Sequence, residues 1–101
     1  MRLGKLVRDN MPEIMKRAGK EPVFKIVEGK EYWDKLKEKL EGEVMEFSAN
    51  ESKEEVADIL EVVNAICEFR GFDMGEIERI RLKKLGERGG FRKGLVLEGV
   101  K

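Results

Sequence analysis

The chain has 101 residues, the size of one domain, and its 21 basic and 21 acidic residues balance to a formal net charge of zero. This balance gives no electrostatic case for nucleic-acid binding, and no apolar run is long enough to span a membrane. The absence of histidine excludes Ser-His-Asp and Cys-His catalysis, and a single cysteine cannot form an internal disulfide. We therefore expect a soluble cytoplasmic protein, and the abundance of Lys, Glu and Arg is typical of thermophilic proteins.

The first part of the chain predicts one short helix and one extended segment. The helix is expected within Val7–Lys20, where Asp9 or Asn10 is the candidate cap and Pro12 suits an early helical position. The segment Pro22–Val27 is rich in β-branched residues and predicts an edge strand or an extended arm.

Two long helices are predicted next. The first covers Glu31–Phe47, where apolar residues recur at helical spacing. After a break at Asn50–Lys53, the second runs to about Arg70, and Ser52 with Glu55 forms a capping-box pattern at its start. The main apolar face of the second helix is predicted to comprise Val56, Ile59, Leu60, Val63, Ile66 and Cys67.

The last part of the chain repeats the capping pattern at Asp73 and Glu76, which predicts a helix to about Glu87. The segment Phe91–Val100 is expected to be an extended tail or hairpin, and it could pair with the extended segment near Phe24. The predicted fold class is all-α, with two long antiparallel helices, short flanking helices and minor extended segments in a single domain covering residues 1–101.

Carboxylates on the two long helices form the candidate functional site. Glu43 and Glu46 are three residues apart, as are Glu55 and Asp58, so each pair shares one face of its helix. Antiparallel packing about the intervening break brings the two pairs together, and their mutual repulsion then requires a cation. Oxygen ligands without His or Cys suit Mg²⁺ or Mn²⁺. The alternative is a solvated acidic face with salt bridges, in which Glu55 only closes the capping box.

The stretches that carry these acids resemble a known family. KLEGEVMEF (Lys39–Phe47) and EEVADILEVVNAI (Glu54–Ile66) are similar to the MazG-like, all-α nucleoside triphosphate pyrophosphohydrolase superfamily. The flanks KLVRDNMPEI (Lys5–Ile14) and ERGGF (Glu87–Phe91) resemble its phosphoribosyl-ATP pyrophosphohydrolase-like, house-cleaning subgroup. Gly42 stands where the family pattern has its first glutamate.

The resemblance implies an activity and a set of site residues. The activity is hydrolysis of a nucleoside triphosphate to a monophosphate and pyrophosphate, with Mg²⁺ or Mn²⁺ as cofactor. The implied metal ligands are Glu43, Glu46, Glu55 and Asp58. Glu46 and Glu55 are the candidate catalytic residues that orient the attacking water or accept its proton. The candidate substrate-binding residues are Lys5, Arg8, Lys39, Asn64, Lys84 and Arg88, whose cationic members would neutralise the triphosphate.

Two other functions stay open at this point. One is the phosphoribosyl-ATP pyrophosphohydrolase of histidine biosynthesis, and the other is a non-catalytic helical interaction or regulatory module, which the glycine at position 42 favours. The expected partners are a nucleotide substrate and further copies of the chain, with neither nucleic acid nor membrane. The apolar side formed by Val62, Ala65 and Phe69 is expected to be covered by a second copy, in a homodimer or homotetramer built on a four-helix bundle.

Overall fold

The computed structural model describes residues 3–101. Within this range, the regular structure consists of the four helices α1 (Met11–Arg17), α2 (Gly29–Ala49), α3 (Lys53–Arg70) and α4 (Met74–Arg88). The all-α prediction is therefore confirmed. None of the described helices combines the length and the apolar character needed to cross a membrane.

The two predicted extended segments do not form strands, since residues 3–101 contain none. The prediction that Pro22–Val27 pairs with Phe91–Val100 is therefore wrong. Both segments contain apolar side chains that lie almost fully in solvent, among them Ile26, which is 95% exposed, and Phe91, which is 99% exposed. The β-branched residues favour extended backbone locally, but a strand also needs a neighbour that buries one of its faces.

The packing of α2 against α3 forms the core of the first compact unit, Met1–Arg70. The buried apolar side chains of the described residues are Leu36 of α2 and Val62 and Cys67 of α3. At one end of the helix pair, the ring of Trp33 stacks on Phe69 with centroids 5.6 Å apart. Because this contact joins the start of α2 to the end of α3, the helices run antiparallel and the end of α2 lies beside the start of α3.

The connection between α2 and α3 is short and capped at both helix ends. The backbone N–H of Asn50 donates to the carbonyl of Glu46 at 2.8 Å, which completes the last turn of α2. The hydroxyl of Ser52 accepts a hydrogen bond from the backbone N–H of Glu55 at 3.2 Å. The predicted cap at Ser52 is thus confirmed. It sets the start of α3 and so places Glu55 and Asp58 in the first turns of that helix.

The start of α1 differs from its prediction. Asn10 occupies the position before the helix, but its side chain makes no capping hydrogen bond. The helix instead begins with Pro12 in its first turn, whose fixed φ angle is suited to that position.

The side of α3 that is buried within the chain is only partly the one expected, because Cys67 is the one residue of the predicted main face that is fully buried among the described residues. Val62 is only 8% exposed and Phe69 stacks on Trp33, whereas Val56 and Leu60 of the predicted main face are 45% and 60% exposed. The side formed by Val62, Ala65 and Phe69 is thus covered in part within one chain, while its further cover by a second copy stays a prediction. Helix α3 has two apolar sides, each contributes one buried residue, and the ring of Trp33 at the start of α2 packs on Phe69.

The second compact unit, Gly71–Lys101, contains α4. Its start is capped as predicted, because a carboxylate oxygen of Asp73 accepts a hydrogen bond from the backbone N–H of Gly75 at 3.1 Å. Gly89 follows the helix with a φ of 82°, a conformation that favours glycine. The apolar side chains of α4, Ile80, Leu82 and Leu85, remain about half exposed.

Candidate metal centre

Three carboxylates converge where the end of α2 lies beside the start of α3. Glu43, Glu55 and Asp58 each offer one carboxylate oxygen, and these oxygens lie within 4.8 Å of one another. Glu43 belongs to the last turns of α2, and the other two belong to the first turns of α3. The helix spacing and the capped connection at Ser52 therefore bring together residues from two consecutive helices.

These acids line one side of a cavity of about 270 Å³. The cavity is lined by Lys5, Leu6, Val7, Lys39, Gly42, Glu43, Glu46, Glu55 and Asp58. Glu46, the fourth predicted metal ligand, thus belongs to the cavity wall, but it lies outside the group of three closely spaced carboxylates and is exposed. Its position leaves it free to act on a ligand held beside the other three.

Glu55 is the most constrained of the acids. Its Oε2 atom is buried and has no hydrogen-bond partner among the described residues. Loss of water around this carboxyl raises its pKa, as do the close approach of the Glu43 carboxyl and the negative charges of Glu43, Asp58 and Glu46. The arrangement therefore disfavours the ionised form of Glu55 unless a cation is present.

Two cations contact the cluster directly. Arg8 donates to Oδ1 of Asp58 at 2.7 Å, and Lys39 Nζ lies 3.2 Å from Oε1 of Glu43. Glu55 forms no ion pair with any described residue. Positive side chains therefore balance the charges of Asp58 and Glu43 but not that of Glu55, the acid with a buried, unpartnered oxygen.

The donor set fits a hard divalent cation. It consists of carboxylate oxygens alone, and the orphaned Oε2 of Glu55 is a ligand atom that the chain itself does not satisfy. Mg²⁺ and Mn²⁺ prefer such oxygen ligands. Glu43, Glu55 and Asp58 are therefore the residues that would hold the ion, while the metal itself stays a prediction.

The remaining predicted site residues are distributed differently. Lys5, Arg8 and Lys39 belong to the first unit and lie at the cavity or on its acids. Asn64 is exposed on α3 and is not part of the cavity wall. Lys84 and Arg88 belong to α4 in the second unit, and their roles stay predictions.

Sequence reasoning missed part of the cavity wall. Leu6 and Val7 line it from the segment before α1, and Gly42 lines it from α2. The run of residues from Lys5 to Arg8 was the available signal, since it places two cations and two apolar residues in sequence.

Comparisons with known proteins define the class only coarsely. No family model and no solved structure matches the chain. An uncharacterised protein from Mycolicibacterium smegmatis is 36% identical over 52 residues, which are 52% of this chain and 53% of that protein. The chain thus spans about half the length of the relative it matches. Fold and site together define an all-α protein with a carboxylate cluster between two antiparallel helices.

Proposed function

We propose that the protein is a Mg²⁺-dependent nucleoside triphosphate pyrophosphohydrolase that releases pyrophosphate and a nucleoside monophosphate, with noncanonical nucleotides among its substrates. The observation that supports this most strongly is the orphaned, buried Oε2 of Glu55 between the carboxylates of Glu43 and Asp58. Three closely spaced carboxylates with one unsatisfied buried oxygen have a physical reason to bind a divalent cation.

A phosphorylated substrate follows from the chemistry of the expected ion and from the charges around it. Mg²⁺ usually retains open positions that water and phosphate oxygens occupy. Lys5, Arg8 and Lys39 supply positive charge at the same cavity, which suits the negative charge of a triphosphate. The similarity of the helix motifs and of both flanks to the MazG-like superfamily supports the same substrate class.

The residues of the chain divide into three roles in this proposal. Glu43, Glu55 and Asp58 hold the ion, which when bound polarises phosphoryl oxygens and lowers the pKa of water. Glu46 is exposed at the cavity, and we assign it to orienting the attacking water or accepting its proton. The cations hold the phosphates against the acids.

The direct test is pyrophosphate release from a panel of canonical and noncanonical nucleoside triphosphates with Mg²⁺ or Mn²⁺. We expect pyrophosphate and a monophosphate in equal amounts, and no release when a chelator removes the metal. Including phosphoribosyl-ATP separates the general activity from the narrower one of histidine biosynthesis. No release from any substrate with either metal would refute the proposal and favour the non-catalytic interaction module.

We also propose that the protein is a homodimer, in which exposed apolar residues of α3 pack on a second copy to form a four-helix bundle. Val56 and Leu60 are one helical turn apart and therefore lie on the same face. Both are largely exposed in the single chain, and a small chain with few buried residues gains stability from such a contact.

Leu60→Glu is expected to convert the dimer to a monomer at micromolar concentration, because a charge would be desolvated at the contact. Light scattering measures the mass, and Glu61→Gln, at an exposed position next to it, is the matched control. A wild-type chain that is already monomeric at this concentration contradicts the dimer.

A further inference from the structure

Gly42 is in an unusual position for a glycine. It lies inside α2, directly before Glu43, where glycine is less favourable than almost any other residue. It also lines the cavity that contains the carboxylates. A Cβ at this position would lie 3.3 Å from Nζ of Lys5, closer than an ordinary contact. The missing side chain therefore leaves room for the ammonium group of Lys5 directly against the helix.

The ammonium of Lys5 differs from the other cations at the cavity. Arg8 and Lys39 each contact one of the carboxylates, at 2.7 Å and 3.2 Å. Lys5 forms neither a hydrogen bond nor an ion pair with the described residues, although its side chain is partly buried and the cavity contains four acids. Its three N–H donors thus remain available to a ligand.

Lys5 also lies where two cavities meet. A second cavity, of about 230 Å³, is lined by Lys5, Gly42, Met45, Glu46 and Ala49, so it shares three residues with the first. The two cavities therefore adjoin at Lys5, Gly42 and Glu46, and the second lies toward the end of α2. An elongated anion that begins at a metal ion beside Glu55 and extends into the second cavity would pass Lys5.

We propose that Lys5, seated over Gly42, binds the phosphate oxygens of a polyphosphate chain that extends from the carboxylate cluster into the second cavity. This inference rests on the proposed function for its ligand class, and it adds the residue pair that places the chain. Gly42 is in this proposal a positioning residue, because its lack of a side chain lets Nζ of Lys5 lie against α2.

Inorganic pyrophosphate is the probe, titrated calorimetrically into the protein at saturating Mg²⁺. Lys5→Gln is expected to weaken pyrophosphate binding about tenfold, which corresponds to the loss of one charge-assisted hydrogen bond. Lys5→Arg should restore most of the affinity. Lys16→Gln removes an exposed lysine of α1 and should bind pyrophosphate like the wild type.

Gly42→Ala is expected to change thermal stability and pyrophosphate binding in opposite directions. Alanine favours the helix, so this variant should unfold at a higher temperature than the wild type. It should nevertheless bind pyrophosphate more weakly, because its methyl group would lie 3.3 Å from Nζ of Lys5 and would shift the ammonium away from the helix. A merely structural role for Gly42 would not couple higher stability to weaker binding.

The same variants distinguish this inference from the proposed function. Mn²⁺ titrated alone should bind Lys5→Gln as tightly as the wild type or more tightly, since a nearby positive charge is removed. If the wild type releases pyrophosphate from nucleotides but Lys5→Gln binds pyrophosphate normally, the role of Lys5 is wrong and the proposed function stands. A wild-type protein that does not bind pyrophosphate overturns the inference as well. If Mn²⁺ binding and hydrolysis are both absent, the proposed function itself fails.

Discussion

Glu55→Gln and Asp58→Asn are each expected to lower the rate of pyrophosphate release by about a thousandfold, which corresponds to losing several kcal/mol of metal-assisted stabilisation. Either change removes one negative charge from three carboxylate oxygens that lie within 4.8 Å of one another. An amide replaces the carboxylate with nearly the same shape, so the helix packing should persist. Initial rates under saturating metal and nucleotide measure the effect.

Two acids on the same helix provide controls for this experiment. Glu54 and Glu61 are exposed on α3 and are not part of the cavity wall. Glu54→Gln and Glu61→Gln should retain nearly the wild-type rate. If Glu55→Gln proves as active as Glu54→Gln, the cluster is not the site of the reaction.

Glu55→Gln is also expected to stabilise the metal-free protein at neutral pH. Burial and the neighbouring acids raise the pKa of Glu55 above its usual value of 4.5 in the folded state. A raised carboxyl pKa means that ionisation disfavours the folded state, and this cost is present at pH values above the folded-state pKa. It disappears as the pH falls below the unfolded-state value, so the advantage of the variant should shrink in acid.

Mg²⁺ should make the wild type more stable than Glu55→Gln, which reverses the order of stability expected without metal. At a Mg²⁺ concentration 100 times the dissociation constant, the wild type gains about 2.7 kcal/mol of stability, whereas the variant should gain little. Thermal unfolding at neutral pH, with chelator and then with Mg²⁺, measures both effects. Glu46→Gln, at the exposed acid of the same cavity, should show a smaller gain in the metal-free state. A metal-free Glu55→Gln protein less stable than the wild type would contradict this account of the cluster.

Much of the fold follows from local sequence signals. The ends of α2, α3 and α4 lie within two residues of their predicted positions. The starts of α3 and α4 were predictable because Ser52 and Asp73 are capping residues whose hydrogen bonds form in the structure. Such signals act between residues that are neighbours in sequence. They do not report on strand pairing, and the β-branched segment Pro22–Val27 accordingly found no partner strand in the described chain.

The orientation of α3 required information that local patterns do not contain. The helix has one apolar side with Val56 and Leu60 and another with Val62 and Phe69, and local spacing does not say how much of each is buried. The contact between Trp33 and Phe69, which are distant in sequence, accounts for the packing at the end of the second side.

Part of the candidate site was predictable because the spacing of acids along a helix is also a local sequence signal. Spacing of three residues on each helix and a short break were sufficient to bring Glu43, Glu55 and Asp58 together. Glu46 lies one turn beyond Glu43, and its exposure depends on the angle between the helices, which spacing does not fix. The proximity of Lys5 to Gly42 joins distant parts of the chain and left no sequence pattern.

A crystal grown with Mn²⁺ tests the central claim most directly, because anomalous difference density locates the ion without assuming any activity. The account predicts one strong peak coordinated by carboxylate oxygens of Glu43, Glu55 and Asp58. A crystal saturated with Mn²⁺ that shows no peak at these three residues, with their charges balanced by Arg8 and Lys39 alone, would contradict it.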